Sequence, residues 1–156
     1  MDGRDRLESY FRENEVAFEV QEHRTAFTAQ RIAASEHVPG RMFAKVAMAK
    51  ADGDLVMLVL PAPSVVDLTK VSEVLGGKEV RMASESEFAP AFPDCEPGAM
   101  PPFGNLYGLP LYADQVLGRN ERIVFQAGSH TVTMSVSYAD FERLARPIVA
   151  DIAVTR

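Results

Sequence analysis

Residues 55–60 (LVMLVL) form an unbroken apolar run, and this run restricts the possible fold more than any other feature of the chain. A short apolar run of this kind predicts a strand that is buried on both faces. Residues 41–51 before it alternate inward and outward side chains, which predicts a partner strand. Asp52 and Gly53 separate the two segments and predict a tight hairpin turn, because glycine adopts the positive φ that such turns require.

The rest of the chain intersperses helical patterns with strand patterns. Apolar residues at helical spacing, together with capping residues such as Asp67, predict the helices. The expected fold class is therefore α/β, mixed and α+β-like, with a largely antiparallel sheet rather than a doubly wound one. The predicted helices are residues 4–14, 28–37, 67–77, 84–88 and 138–145. The other predicted strands are residues 16–20, 79–82, 109–113, 122–127 and 131–136, and residues 148–154 close the chain.

Composition sets limits on the type of protein. A length of 156 residues with 47% hydrophobic content predicts one domain over residues 1–156. No apolar run approaches the roughly 18 residues that span a membrane, and the charged N-terminus does not resemble a secretory signal. Cys95 is the only cysteine, which fits a reducing compartment, so we expect a cytoplasmic protein without a membrane partner. The net charge of −6 argues against broad nucleic-acid binding, and DNA is not an expected partner.

Several common chemistries lack their sequence signals. Three histidines and one cysteine without HExxH or CxxC predict no metal site. The absence of GxGxxG and GxxxxGK[ST] argues against a bound nucleotide, so no cofactor is expected. There is no GxSxG nucleophile motif, and adjacent Ser129 and His130 would leave opposite faces of a strand. Cys95 could pair with His130, although a free cysteine is more often a small buried apolar residue.

Lys45 is the first residue that points to a function. Strand alternation places Lys45 on the same face as Phe43 and Ala47, among apolar neighbours. Lysine is rarely buried without a partner, so a functional ammonium is one interpretation of this position. The alternative is a lysine whose stem lies along the surface and whose charge reaches water.

Two glycine-containing segments are the other candidates. Residues 98–104 (GAMPPFG) lie within residues 90–108, which hold five of the ten prolines. Glycines at both ends and prolines between them can hold backbone amides rigidly against an oxyanion or a phosphate. Gly128, Ser129 and His130 are predicted to turn the chain between two strands. The alternatives are an ordinary proline-rich surface loop and a structural histidine.

The order and spacing of these segments resemble the YbaK/prolyl-tRNA synthetase-associated domain family. The resemblance covers residues 7–152 and rests on FAKVAMAK with Lys45, the DLTKVSEVLG helix, the GxxxPxG loop, the segment AGSHTVTMSV, and YADFERL with Asp140. It implies a curved mixed sheet flanked by helices. It also implies a free-standing hydrolase that cleaves the ester of mischarged aminoacyl-tRNA, with tRNA for proline carrying alanine or cysteine as the expected substrate.

The resemblance also assigns roles to individual residues. Lys45 matches the essential lysine of the family and is expected to hold the terminal adenosine, while Gly98 and His130 complete the expected catalytic set. The expected partners are the aminoacyl-tRNA acceptor end and prolyl-tRNA synthetase. A non-catalytic module that binds a tRNA end or a small metabolite and docks to a synthetase is the alternative function. The expected substrate-binding residues are Phe43, Met100, Pro101, Pro102, Phe103, Gly104, Gly128 and Ser129. The cations that could bind tRNA are Arg24, Arg31, Arg41, Lys45 and Lys50.

Overall fold

The structure, a computed structural model, describes residues 2–23 and 28–155. Its helices and strands confirm the predicted mixed α/β class, whereas the single domain over residues 1–156 stays a prediction. The helices are α1 (Gly3–Glu13), α2 (Ala29–Ser35), α3 (Leu68–Val74), α4 (Glu85–Phe88) and α5 (Tyr138–Ala145). The strands are β1 (Glu19–Glu22), β2 (Ala44–Ala51), β3 (Asp54–Pro61), β4 (Ser64–Val66), β5 (Val80–Met82), β6 (Leu111–Asp114), β7 (Arg122–Ser129), β8 (Val132–Ser137), β9 (Ile148–Ala150) and β10 (Ala153–Thr155).

The largest sheet has five strands in the order β5-β2-β3-β6-β9. The predicted hairpin joins β2 and β3 in antiparallel register, while β3, β6 and β9 run parallel. Strand β3 lies at the centre and is buried on both faces, as its apolar run predicts. Met57 and Val59 enter one hydrophobic cluster, and Val56 and Leu58 enter another on the opposite face.

A second sheet, β1-β8-β7, is antiparallel throughout and contains the second predicted hairpin, β7–β8. A parallel bridge between Phe43 and Val124 joins the beginning of β2 to β7. Successive side chains of β8 point to opposite faces of the sheet. Val132 and Met134 therefore enter the main core, while Thr133 lies on the other face. The bridge therefore links the first half of β7 to the strand that carries Lys45.

Five aromatic rings form the centre of the main core. The Phe103 ring lies 5.3 Å from Phe11, 5.5 Å from Phe125 and 5.7 Å from Phe141, all in edge-to-face arrangements. Tyr10 completes the group at 6.2 Å. These contacts hold α1, α5 and β7 against the proline-containing loop, because Phe103 belongs to that loop.

Two helices begin at an aspartate side chain, and one of these, Asp67, is the cap that the sequence predicts. The Asp2 side chain accepts a hydrogen bond from the amide of Asp5 at the start of α1, and Asp67 accepts one from Lys70 at the start of α3. Both aspartates act as N-caps, which satisfy amides that the helix itself leaves unpaired. None of the helices in the described ranges has the length and apolarity needed to cross a bilayer.

Several element boundaries differ from the predictions. The turn between β7 and β8 lies at His130 and Thr131 rather than at Gly128 and Ser129, because β7 continues through Ser129 after a register irregularity. Strand β1 begins at Glu19 rather than at residue 16. Strands β4 and β10 pair with each other and were not predicted as separate elements, since each has only three residues.

Replacing Phe103 with alanine should lower the free energy of unfolding by about 3–5 kcal/mol, because it leaves a cavity among four aromatic rings. Phe88→Ala is the matched control, since Phe88 is only half-buried at the edge of the same core. Urea denaturation of both variants measures the difference. Equal losses would contradict a central role of Phe103 in the core.

Candidate functional site

Lys45 lies near the beginning of β2, paired in register with Leu60 of β3. Its side chain is half-buried, and its Nζ donates a hydrogen bond to the carbonyl oxygen of Ala62 at 2.9 Å. Phe43, on the same strand face, is fully buried. The predicted placement of Lys45 beside apolar residues is therefore confirmed, and the carbonyl contact fixes the direction of the ammonium.

The Lys45 ammonium borders a cavity of about 250 Å³. Among the described residues that line it, Lys45 is the charged one; the others are small, apolar or neutral. The segment after β3 was not singled out in the sequence, although it provides half of the wall. The lining residues are Thr28, Ala29, Gln30, Lys45, Ala62, Pro63, Ser64 and Val65.

The loop that begins at Gly98 is held by the end of β7. The amide of Gly128 donates to the carbonyl oxygen of Ala99, and the carbonyl oxygen of Gly128 accepts from the amide of Glu96, both at 2.8 Å. Gly98 has φ +85°, a conformation that favours glycine. The GxxxPxG loop and the glycine segment predicted from the sequence are thus brought together.

His130 is bound to the same loop through two contacts. Its Nε2 lies 2.8 Å from the carbonyl oxygen of Pro97, and its backbone amide donates to the Glu96 carboxylate at 3.0 Å. Because a carbonyl oxygen only accepts, Nε2 is the donor in this contact. A Cβ on Gly98 would lie 3.5 Å from Cε1 of His130, so the ring covers that glycine directly. Glu96 and Pro97 were not identified in the sequence analysis.

The remaining predicted binding residues are mostly interior. Phe43 packs with Ile32, Ala62 and Val124, and Met100 and Phe103 of the loop belong to the main core. Ser129 shares a hydrogen bond of 2.9 Å with the Thr131 hydroxyl inside the turn. Contact between these predicted binding residues and a substrate stays a prediction. The buried loop residues are Ala99, Met100, Pro101, Pro102, Phe103 and Gly104.

Cys95 takes part in a different set of contacts. Its Sγ lies 3.3 Å from the Tyr107 hydroxyl and 3.5 Å from a carboxylate oxygen of Asp94. Burial raises the pKa of the Cys95 thiol to about 11, so the group is a neutral thiol near pH 7. The contacts and the protonation state argue against a nucleophilic cysteine here.

Lys45 and the Gly98 loop do not share a cavity in the part of the chain that the structure describes, but the segments that carry them are both joined to β7. None of residues 98–104 belongs to the described lining of the Lys45 cavity. Phe43, two residues before Lys45, forms a bridge with Val124 of β7, and Gly128, which binds Ala99, lies four residues further along the same strand.

A larger cavity of about 810 Å³ is lined by residues 93–97, directly before Gly98, together with the start of α1 and the end of β7. Its lining carries the carboxylates of Asp2, Asp94 and Glu96. Arg4 also lines it, but this guanidinium already pairs with Glu8 and Glu22 at 3.4 and 3.3 Å. The cavity is therefore net acidic and is poorly suited to a phosphate.

The other predicted cations are dispersed. Lys50 binds the Gly53 carbonyl oxygen at the hairpin and, by strand parity, lies on the opposite face of β2 from Lys45. Arg31 and Arg41 are exposed, whereas Arg24 lies outside the described residues. In the part of the chain that the structure describes, no group of three or more His, Cys, Asp or Glu side chains could hold a metal ion.

A buried polar cluster lies at the end of α2. The Thr133 hydroxyl is 2.9 and 2.8 Å from the two carboxylate oxygens of Glu36, and Nε2 of His23 is 3.6 Å from one of them. Burial raises the pKa of Glu36, while the Thr133 hydrogen bond and His23 oppose that change. Burial therefore favours the protonated form of this carboxyl group over the charged form.

Replacing Gly98 with alanine should lower the free energy of unfolding by about 1–2 kcal/mol, because an L residue is strained at this φ. Gly108→Ala is the matched control, since Gly108 also has a positive φ but has no atom within 4 Å of an added Cβ. Only Gly98→Ala should shift the imidazole resonances of His130 in NMR spectra. Equal shifts in both variants would contradict the Gly98–His130 contact.

Glu36→Gln should raise the stability of the protein at pH 7.5 and flatten its pH dependence. The folded-state pKa of Glu36 is above its unfolded value, so the wild type gains stability as pH falls through the folded pKa toward the unfolded one. Glutamine does not titrate, and its advantage should therefore be larger at pH 7.5 than at pH 4.5. Unfolding free energies from urea titrations across this range measure the difference. An advantage that grows toward acid would contradict the raised pKa.

Comparison with known proteins places this arrangement in a family. Residues 23–144 match the family described as the aminoacyl-tRNA editing domain, whereas the search of curated proteins finds no match. Three solved structures share the fold at a TM-score of 0.85. One is a scaffold protein used for computational epitope backbone grafting, 17% identical over 100% of this chain and 99% of that chain.

The other two structures cover the chain to a similar extent. The hypothetical protein APE2540 is 19% identical over 95% of this chain and 99% of its own. A candidate trans-editing enzyme for prolyl tRNA synthetase is 18% identical over 99% of this chain and 98% of its own. At these identities the structures establish the fold, and the sequence match over residues 23–144 establishes the relationship: the chain belongs to the aminoacyl-tRNA editing domain family.

Proposed function

We propose that this protein is a trans-editing hydrolase that cleaves the ester bond of mischarged aminoacyl-tRNA. The substrate is tRNA for proline that carries a small wrong amino acid, alanine or cysteine. Family membership supports the editing activity, and the similar structure of a candidate trans-editing enzyme for prolyl tRNA synthetase supports the choice of tRNA. The same similarity makes prolyl-tRNA synthetase the expected protein partner.

The observation that carries the proposal is the position of Lys45. Its ammonium borders a cavity whose described lining carries no carboxylate, and a 2.9 Å hydrogen bond to the Ala62 carbonyl oxygen orients it. A compact ammonium is suited to a phosphate. We therefore assign Lys45 to the phosphate of the terminal adenosine.

The Gly98 loop is suited to the aminoacyl end. The Gly98 amide donates to the thioether sulfur of Met100 at 3.2 Å, and sulfur is a weak acceptor. In the transition state the Gly98 amide would donate to the developing oxyanion instead of the sulfur. This hydrogen bond is stronger, so it favours the transition state over the ground state. Residues 96–99 are fixed by Gly128 and His130, so the donor is held in place before the substrate arrives.

The chemistry requires no protein nucleophile. An aminoacyl ester is already activated, and a positioned water can attack its carbonyl carbon if the developing charge is stabilised. We place His130 as a residue that positions the Gly98 loop, since its Nε2 is bound to the Pro97 carbonyl oxygen. Selectivity for a small amino acid is the task of a cavity that excludes the larger correct one, because a single methylene gives only about 1–3 kcal/mol of discrimination.

Lys45→Ala should lower kcat/KM for deacylation of alanyl-tRNA for proline by about 10- to 100-fold. A hydrogen bond to a charged group contributes about 1.5–3 kcal/mol, which corresponds to this range. Deacylation of tRNA charged with radiolabelled alanine, cysteine or proline measures the loss. Lys50→Ala is the matched control, because Lys50 lies on the same strand but on its opposite face.

Wild-type protein should release alanine or cysteine and leave correctly charged prolyl-tRNA intact. A Lys45→Ala protein with wild-type stability and full activity would refute the assigned site. Binding of the uncharged acceptor end without turnover of any charged tRNA would favour a non-catalytic binding module instead.

A further inference from the structure

A third cavity lies between the β1-β8-β7 sheet and the end of α2. It has a volume of about 220 Å³ and shares no lining residue with the Lys45 cavity. Its wall combines two carboxylates, the buried Glu36 and the exposed Glu19, and one guanidinium with hydroxyl groups and apolar side chains. The residues that line it are Glu19, Val20, Gln21, Glu36, Val38, Met42, Arg122, Val124, Thr133, Met134 and Ser135.

Glu36 provides the negative end of this cavity. Its side chain is 1% exposed, and its carboxylate oxygens are held by the Thr133 hydroxyl. A carboxylate so far from water is destabilised unless a cation lies beside it. His23 approaches one oxygen at 3.6 Å and supplies a charge only when it is protonated. A ligand ammonium on the cavity side would stabilise the ionised form at neutral pH.

Arg122 provides the positive end. Its Nη2 donates a hydrogen bond of 2.7 Å to the hydroxyl of Ser135. Among the ion pairs that the described residues form, none includes Arg122. A guanidinium oriented by one hydroxyl keeps further N–H donors for a carboxylate, which it can bind in a planar, bidentate manner.

The two charged groups are anchored at neighbouring positions on one strand face. Thr133 holds Glu36 and Ser135 holds Arg122, and these two residues of β8 are separated by one residue. Their side chains therefore project from the same face about 7 Å apart. An ammonium and a carboxylate on one carbon atom can bridge such a gap with a hydrogen bond at each end. Val38, Met42 and Val124 complete an apolar wall between them.

We propose that this cavity binds the zwitterion of a free α-amino acid with a small apolar side chain. The ligand ammonium contacts Glu36, its carboxylate contacts Arg122, and its side chain lies against Val38, Met42 and Val124. A dicarboxylate would meet repulsion at Glu36, and a diamine would meet it at Arg122. The inference goes beyond the proposed function and does not depend on hydrolysis.

Isothermal titration calorimetry of the full chain with alanine, valine and proline tests the proposal. At least one of these amino acids should bind, and its N-acetyl and methyl ester derivatives should bind at least tenfold more weakly, because each derivative removes one charge. Glu36→Gln and Arg122→Gln should weaken binding of the free amino acid to the same extent. Arg119→Gln and Glu121→Gln are matched controls, since both residues are exposed and lie outside the cavity.

The position of the ligand is tested by NMR. Backbone amide shifts at Thr133 and Ser135 should change on titration, whereas those at Lys45 and Ala62 should not. Absence of binding to the wild type, equal binding of the derivatives, or shifts confined to the Lys45 cavity would each overturn the proposal. Because the derivatives are tested on the wild-type protein, the result does not depend on the folding of any variant. A protein without deacylase activity that still binds the amino acid would refute the proposed function alone.

Discussion

The contact between Gly3 and Gly128 is the constraint on which the candidate site depends. A Cβ on Gly128 would lie 3.3 Å from Cα of Gly3, and a Cβ on Gly3 would lie 2.8 Å from Sγ of Cys95 and 2.9 Å from the Asp94 carbonyl oxygen. Only glycines allow the start of α1, the end of β7 and the segment before Gly98 to approach so closely. The amide of Gly3 also binds the Asp94 carbonyl oxygen. The first turn of α1 thus supports a loop more than ninety residues away. This contact holds Gly128 in a position to bind Glu96 and Ala99.

The elements that could be predicted from the sequence are those whose pattern is local. The run in β3, the alternation in β2 and the Asp67 cap each depend on neighbouring residues, and the structure confirms all three. The pairing of β4 with β10 joins segments about ninety residues apart, and neither strand is long enough to show a period. The turn at His130 was misplaced because glycine is a strong turn signal, whereas Gly128 is used here for close packing within a strand. The same residue type serves two purposes that a single sequence does not distinguish.

The candidate site was predictable to a similar degree. Residue types with few structural uses, such as a lysine among apolar residues or a glycine before a proline pair, drew attention to Lys45 and Gly98. Residues that act through their backbone give no such signal in the sequence. The Ala62 carbonyl oxygen orients Lys45, and the Pro97 carbonyl oxygen orients His130. Glu96 was also missed, because an exposed glutamate in a loop is an ordinary residue until its contact with the His130 amide is seen. Phe103 was assigned to substrate from its place in the motif, and its ring lies among four other aromatic rings.

The net negative charge of the chain is compatible with the proposed tRNA substrate, because the charged side chains are unevenly distributed. The large cavity beside the Gly98 loop carries three carboxylates, and its one arginine is already paired with two glutamates. A phosphate that approaches this cavity is repelled, whereas the separate cavity at the start of β2 presents the Lys45 ammonium with no carboxylate in its described lining. Repulsion on one side and attraction on the other orient a polyanion more effectively than a uniformly basic surface, which would bind it in many positions. A protein that must recognise only the end of a tRNA therefore gains selectivity from a net negative charge, at the expense of affinity for the rest of the nucleic acid.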